Sequence, residues 1–544
     1  MAGSTKVSQA TNQITGNRKW WVLATVLLTM FFSSMDQTVV STAIPTIIND
    51  LNGLSLYAWL ASAYMMASAI TVPIYGKLSD VYGRKPFYIF GLIMFGVGSA
   101  ICGQAHTMME LVIARGVQGI GAGAMMSMPR ATIGDIFSPK ERGRWMGIIG
   151  AVFGLSSIIG PALGGWITDD FSWRWVFYIN LPFALLAILG VIFTLPRVRA
   201  GAAVKLDWFG CVLLIIGLFP ILLGFTWAGS KYTWGSWQII SLFAFGIIML
   251  LVFYFWERFA SDPIITPSLF KSRLFTTSLI LGVFIGMTMF GSLMFLPIFI
   301  QGVIGLNAQN SGFLLSPMMI AFIVGSVLSG QIMTRTGRYL RLANVCGIII
   351  VVGVILLSLM TINTHFWNVI INMVVLGLGI GSLMPLMNVA VSNAFPYKMM
   401  GTVNSTQQFV QSLGGVIASP IFASLLTNGF QHKLTSVMPA GLKQMGAKLA
   451  NISPQELLTA QAQNAMKKQF SGMGAKGLTL YNQLIHAVKV SLTAGVHHLF
   501  IVALVFACLT FIGTFFLPEV NLKGKEYYEE KKDGGDQARE PSIS

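Results

Sequence analysis

An acidic residue, Asp36, interrupts an otherwise apolar stretch running from Trp20 to Ile48. A carboxylate in hydrocarbon costs at least about 2.5–3.5 kcal/mol, so its presence points to function, either taking up and releasing protons or holding a cation. Asp36 lies fifteen residues beyond Trp21. That is about 22 Å of helix rise, roughly 8 Å short of the far edge of a 30 Å core. Arg115 sits about seven residues into the fourth apolar stretch, which enters from that far side. Its depth is about 10 Å by the same rise. Opposite charges at matching depth allow two readings. One is a permanent structural pair. The other, which we favour, is a switch: burial raises an acid's proton affinity and a close cation lowers it, so a changing balance drives a proton cycle.

Such residues need a membrane to matter, and the composition supplies one. Of 544 residues, 54% are hydrophobic and only 10% charged, against about 25% charged in soluble domains. The net charge of +16 falls in short clusters between apolar runs. That is how membrane topology is written, and it argues against nucleic acid as a partner. Cys102, Cys211, Cys346 and Cys508 lie inside apolar runs without ligand spacing, so neither disulfides nor a metal are expected. The first run is too long for a cleaved signal and many similar runs follow.

Fourteen runs are long enough to cross a bilayer as helices: 21–45, 57–76, 87–105, 108–131, 144–166, 174–195, 207–228, 236–256, 274–300, 310–334, 341–361, 366–390, 402–426 and 495–517. None alternates apolar with polar, so the expected class is an all-α membrane protein. Basic residues concentrate on alternate connections: Lys77, Arg84 and Lys85, then Arg130, Lys140, Arg142 and Arg144, and so on to Lys398. Opposite connections carry only Arg174 and Lys231 among the short loops. This places both termini in the cytoplasm, at the plasma membrane. Residues 427–494, with seven lysines and one acid, are expected to be a long outside segment containing a short helix from Ser453. The tail 518–544 is charged and expected to be disordered.

A weak repeat organises the runs. Gly76-Lys-Leu-Ser-Asp80-Val-Tyr-Gly83-Arg84-Lys85 follows the second span, and Gly330-Gln-Ile-Met-Thr-Arg335-Thr-Gly337-Arg338-Tyr339 follows the tenth. Two six-helix halves would put the second copy after the eighth span. It comes two spans later, so spans seven and eight read as an insertion. The expected division is a cytoplasmic N-terminus at 1–20, a six-helix bundle at 21–200, two inserted helices at 201–260 and a second bundle at 261–517. Parallel repeats joined in this way organise the major facilitator fold.

The motifs carry the same resemblance. The 76–85 segment resembles the loop motif between helices two and three of that superfamily. Leu111 to Gly123, containing Arg115 and Gln118, is similar to the arginine motif of helix four. Gly150 to Gly154, continuing through Gly160-Pro161-Ala-Leu-Gly164-Gly165, resembles the antiporter motif of helix five. Met35-Asp36-Gln-Thr38 and Trp173-Arg174-Trp175-Val-Phe-Tyr-Ile-Asn180 are similar to the fourteen-helix drug:proton antiporter branch. The resemblance implies two bundles rocking about a central cavity that helices one and four line. It implies a state-dependent clamp built on Gly76, Asp80, Gly83 and Arg84, with Arg335 replacing the acid in the second copy. Gly160, Pro161, Gly164 and Gly165 would keep the path between halves closed to leaks. On the residues alone, these glycines allow close helix packing and Pro161 should bend its helix.

Phe32, Met35, Tyr64 and Met65 flank Asp36 or lie on the adjacent span, with Phe31 a weaker case. Together with Gln407 and Gln411, one turn apart, they are the cavity candidates. Met and Phe suit promiscuous recognition. Glu110 reads as interfacial. No phosphate loop, metal cluster or nucleophile–base constellation occurs, so an enzyme or an ATP-driven pump is not expected. The expectation is proton-coupled export of amphipathic, cationic small molecules by a monomer without cofactor. The alternative is export of a lipid-linked or amphipathic metabolite, with 427–494 handling headgroups.

Overall fold

The computed structural model describes residues 17–51, 56–137, 139–196, 207–229, 231–260, 262–305, 315–395, 399–438, 468, 470 and 474–519. It consists of long helices: α1 (Asn17–Leu51), α2 (Tyr57–Tyr82), α3 (Arg84–Gln104), α4 (Met108–Ile136), α5 (Pro139–Asp170) and α6 (Trp175–Thr194, with a turn at Ile179). Then come α7 (Trp208–Trp227), α8 (Trp237–Phe259), α9 (Arg273–Phe299, continued by a π-helical turn Ile300–Ile304), α10 (Ser316–Thr336) and α11 (Leu340–Ser358). The chain closes with α12 (Phe366–Ala394), α13 (Met400–Val437) and α14 (Gly474–Thr514). Among the described residues, thirteen helices are long and apolar enough to cross a membrane. The long helix outside that set is α2, whose Ser, Thr and Tyr content lowers its hydropathy.

Packing divides these helices into two groups. Within the first, α1 packs on α5 and α6, and α4 on α2 and α3. Within the second, α10 packs on α12, α9 on α13, and α14 on α11 and α13. Four helix pairs tie the groups together: chiefly α2 along α13 and α5 along α10, with α4 on α13 and α5 on α12. The pair α7–α8 packs on itself and leans on α2 and α13. Asp207 caps α7 through the Gly210 amide at 2.8 Å and accepts the Trp256 indole N–H of α8, which staples the two together. Lys77 of α2 forms an ion pair with Asp262, just beyond α8.

Both copies of the repeated turn hold glycine in the left-handed region, Gly83 at φ +92° and Gly337 at +69°. A side chain there would strain the backbone, so each copy needs its glycine to turn sharply between helices.

The segment 427–494 differs from the expected loop. Helix α13 runs on to Val437, and α14 is already helical at Gly474. At 1.5 Å per residue they exceed a 30 Å core by about 27 and 31 Å. Leu426, Phe430 and Leu434 recur every fourth residue and are buried in the same apolar cluster as Leu484, Val488 and Leu492. The helices nearly touch at Gly429 and Gly495. Ser453 lies outside the described residues.

Candidate functional site: a caged carboxylate beside a central cavity

Asp36 is 1% exposed and Arg115 2%. Their side chains meet at 2.7 Å, Arg115 Nη1 donating to Asp36 Oδ2. Gln118 lies one turn from Arg115, three residues along α4, so both side chains leave the same face. Gln118 Nε2 donates to Asp36 Oδ1 at 2.8 Å and to Ser99 of α3 at 2.7 Å, and its Oε1 accepts from Arg115 at 2.6 Å. Asn180, immediately after the turn in α6, gives Asp36 Oδ1 a further donor at 2.7 Å. Arg115 Nε donates to the Leu60 carbonyl at 3.2 Å, and its guanidinium lies 4.2 Å over the Tyr64 ring. Helices α1, α2, α3, α4 and α6 therefore all contribute to one network, and both carboxylate oxygens are satisfied. Charge-assisted bonds of this kind are about twice as strong as neutral ones.

The network lies inside the first group of helices rather than on its open face. Asp36 points inward, while its neighbour Gln37 lines a central cavity between the two groups. Both groups furnish the wall, α1, α2, α4 and α5 from one and α9, α10, α12 and α13 from the other. Six methionines face it (Met30, Met65, Met126, Met146, Met289 and Met384), with Phe153, Phe290 and Phe322. Its polar groups include Ser68, Ser326, Asn388, Gln408, Gln411 and Ser412. Among the described residues its lining holds one charged side chain, Arg130, and no acid.

Of the cavity candidates, Met65 and Gln411 line this space. The other four face elsewhere. Phe32 stacks on Phe183 with ring centroids 3.6 Å apart, and Phe31 meets Phe32 edge-on. Met35 is buried with α4 and α6 residues in the apolar packing around Asp36. Tyr64 lies beneath Arg115, and Gln407 is buried outside the lining. The physical reason is the 100° step of a helix: residues beside Asp36 in sequence leave the helix in other directions. Glu110 completes a capping box with Thr107 at the start of α4. Arg130, assigned by the sequence to a basic loop, instead lies within α4, buried and six residues before its end.

The 76–85 turn bridges the two groups. Asp80 accepts hydrogen bonds from the Gly401 amide at 2.9 Å, the Thr402 amide at 2.7 Å and the Thr402 hydroxyl at 3.0 Å. These are free amides at the N-terminus of α13, where the helix dipole also favours an anion. Arg84 Nη1 holds Asp80 at 2.6 Å, and Arg84 Nε holds Asp135 of α4 at 2.9 Å. Gly76 packs directly on Ser405, leaving no room for a Cβ. On α5, Gly147, Gly150 and Gly154 abut α10 across the interface. Gly160 and Gly164 instead seat Thr38 and Thr42 of α1, and Gly165 faces open space. Helix α5 is continuous through Pro161.

The signal for Gln118 was available in its spacing from Arg115, and that for Asn180 in its place within an apolar run. Neither could be assigned to Asp36 without knowing how α4 and α6 face α1.

Two groups of helices around a cavity, joined by a turn that captures a helix N-terminus, are an architecture that membrane transporters use. The family model of the Major Facilitator Superfamily matches residues 26–419, and the chain belongs to that superfamily. It is 35% identical over 549 residues to a multidrug transporter protein of Bacillus subtilis, covering 100% of this chain and 99% of that protein. It is 37% identical over 506 residues to multidrug resistance protein 3 of the same organism, covering 92% and 96%. The fold is also that of the human organic anion transporter MFSD10, with TM-score 0.56 and 16% identity over 82% of this chain and 100% of that one. The chain is therefore a multidrug-type member of a family of transporters rather than an enzyme.

Proposed function

We propose that the chain exports amphipathic small molecules across the plasma membrane in exchange for protons, with Asp36 as the proton carrier. The observation that carries this is the caged carboxylate one helix face away from the cavity. In this reading both termini and the Asp80 clamp lie on the cytoplasmic side, all fourteen helices cross the membrane, and the working unit is the monomer without cofactor.

Protonating Asp36 removes its charge and leaves the Arg115 guanidinium without its counterion. Arg115 is then a buried cation, which is costly unless water or a moved partner reaches it. The contact between α1 and α4 must therefore rearrange when the proton binds. Because Gln37 faces the cavity from the same turn of α1, that rearrangement reaches the cargo wall. Loss of a proton rebuilds the network and the closed contact.

At the cytoplasmic end the clamp must open in step. Asp80 holds α13 by three hydrogen bonds, and their release frees α2 from α13. Support for export in particular comes from the two bacterial relatives, whose names describe multidrug transport and resistance.

The cationic cargo expected from Asp36 needs that carboxylate to face the cavity. Its enclosure by Arg115, Gln118 and Asn180 removes the basis for that preference. The proposal therefore specifies amphipathic cargo and a proton, and takes the cargo's charge from the cavity itself.

The test is uptake of a panel of amphipathic dyes, cationic (ethidium), neutral and anionic, into everted vesicles under an imposed pH gradient. Wild type should accumulate at least one of them and release protons on its addition, and Asp36→Asn should do neither while still reaching the membrane. Full gradient-driven uptake by Asp36→Asn would end the proton assignment.

A further inference from the structure

Among the described residues, Arg130 is the one charged side chain lining the central cavity. It lies on α4 directly after Pro129 and is 8% exposed. Its Nη1 reaches only the Met126 carbonyl, at 3.3 Å within its own helix, and its Nε has no partner. Three acids of the first group of helices are engaged elsewhere. Asp135 and Asp80 are held by Arg84, and Asp36 by Arg115. A guanidinium has five N–H donors and cannot shed its proton. Burying it without a counterion is costly, so such a residue is normally paired or in contact with a ligand.

The cavity around it offers acceptors but no negative charge. Gln408 Oε1 is buried without a partner, and Asn388 and Ser326 are the amide and hydroxyl facing the same space. The remainder of the wall is methionine and phenylalanine. A cation entering this space would be repelled by a fixed positive charge with no water-like screening. An anion would supply what the arginine lacks, through planar two-point bonds that guanidinium forms with carboxylate, sulfonate or phosphate.

We propose that Arg130 is the headgroup site of the transport cavity and that the cargo is an anionic or zwitterionic amphiphile, its acid group on Arg130 and its apolar body against the methionine wall. The proposal rests on the transport reading above but concerns a different residue and a different step. Its site was concealed in the sequence, where an arginine after a proline near a span's end reads as a topology signal.

The test uses one fluorescent scaffold in three charge states: dansylglycine (anion), dansylglycine methyl ester (neutral) and dansylcadaverine (cation). Binding to the purified full chain in nanodiscs, with no gradient, reads the site alone. Wild type should bind the anion about tenfold or more tightly than the cation, the factor expected of a hydrogen bond to a charged group. Arg130→Gln should erase that ratio, and Arg130→Lys should keep part of it, with unfolding temperature monitored on the same samples. A wild-type preference for dansylcadaverine, no binding of dansylglycine, or an unchanged ratio in folded Arg130→Gln overturns the proposal. Everted vesicles then separate the two readings. Selective, Arg130-dependent binding without gradient-driven uptake of any probe leaves the site standing and removes the transport reading. Gradient-driven ethidium uptake with no Arg130-dependent anion binding does the reverse.

Discussion

Helix α4 carries two buried arginines, and their surroundings are opposite. Arg115 is enclosed by Asp36, Gln118, the Leu60 carbonyl and the Tyr64 ring. Arg130, fifteen residues on, reaches one carbonyl of its own helix and looks into the cavity. The same side chain on the same helix is thus a closed structural element in one place and an unmet demand in the other. A charge whose partners are all within the protein can change only if the protein moves. A charge without partners changes when something arrives. The first arrangement suits a proton-driven rearrangement and the second suits recognition. An exposed pair calibrates both: Arg174 and Asp50 meet at 3.1 Å in largely exposed surroundings.

The largest effect is expected from breaking the enclosed pair on one side only. Arg115→Ala leaves Asp36 buried and uncompensated, a loss of about 3–5 kcal/mol for such pairs, read as a fall in unfolding temperature and in yield. Arg115→Leu combined with Asp36→Leu should recover most of that stability while abolishing gradient-driven uptake. If the double variant is no more stable than Arg115→Ala, the enclosed network is not the source of the loss. Next in size is Asn180→Leu, which removes one of the three donors to the carboxylate. Hydrogen bonds to charged groups are worth about 1.5–3 kcal/mol, so a lower unfolding temperature and a slower uptake rate are expected. Equal behaviour to wild type would show that Asn180 does not support the Asp36 network.

The clamp offers a sharper contrast between copies of the repeat. Asp80→Asn keeps the shape but loses the charge facing the α13 amides, a change of about 1 kcal/mol by helix-terminus energetics. It should raise reactivity of a cysteine placed at Ser405, whereas Arg338→Ala in the exposed second turn should leave that reactivity unchanged. Identical responses would mean that the two turns do equivalent work. The smallest effect belongs to the exposed pair. The Trp173 indole and the Arg174 guanidinium hold the Asp50 carboxyl below its usual range. An acid with a depressed pKa contributes stability above its ordinary range and loses it as pH falls through the lowered value. Arg174→Ala should therefore lower the unfolding temperature slightly at pH 7, by less than about 1 kcal/mol as exposed pairs give, and not at all in strong acid. A larger loss, or one that persists in acid, would make this pair more than a surface contact.

Much of the fold was legible because long apolar runs admit few solutions in a bilayer. The depth arithmetic that set Asp36 beside Arg115 worked because helix rise is nearly constant. Side-chain direction was less accessible. Phe32 and Met35 stand close to Asp36 along the chain and Tyr64 stands on the adjacent span, yet they turn toward α6, α4 and the underside of Arg115. Gln37, the neighbour that does face the cavity, was passed over. Arg130 escaped because positive charge near a span's end has a common explanation in topology, and only packing reveals that α4 continues past it. The long ends of α13 and α14 escaped for a similar reason. Their polar, lysine-rich composition reads as loop, although Leu426, Phe430 and Leu434 keep a helical spacing and share one apolar cluster with Leu484 and Leu492.

One consequence follows from the continuity of α13. Its first amides are gripped by Asp80, and two turns further along the same rod Gln408, Gln411 and Ser412 touch the cargo space. A stiff helix cannot shift at one of these points and stay still at the other. Pressure from a molecule lodged against the amides is thereby delivered mechanically to the latch, much as a pushrod reports a load to its catch.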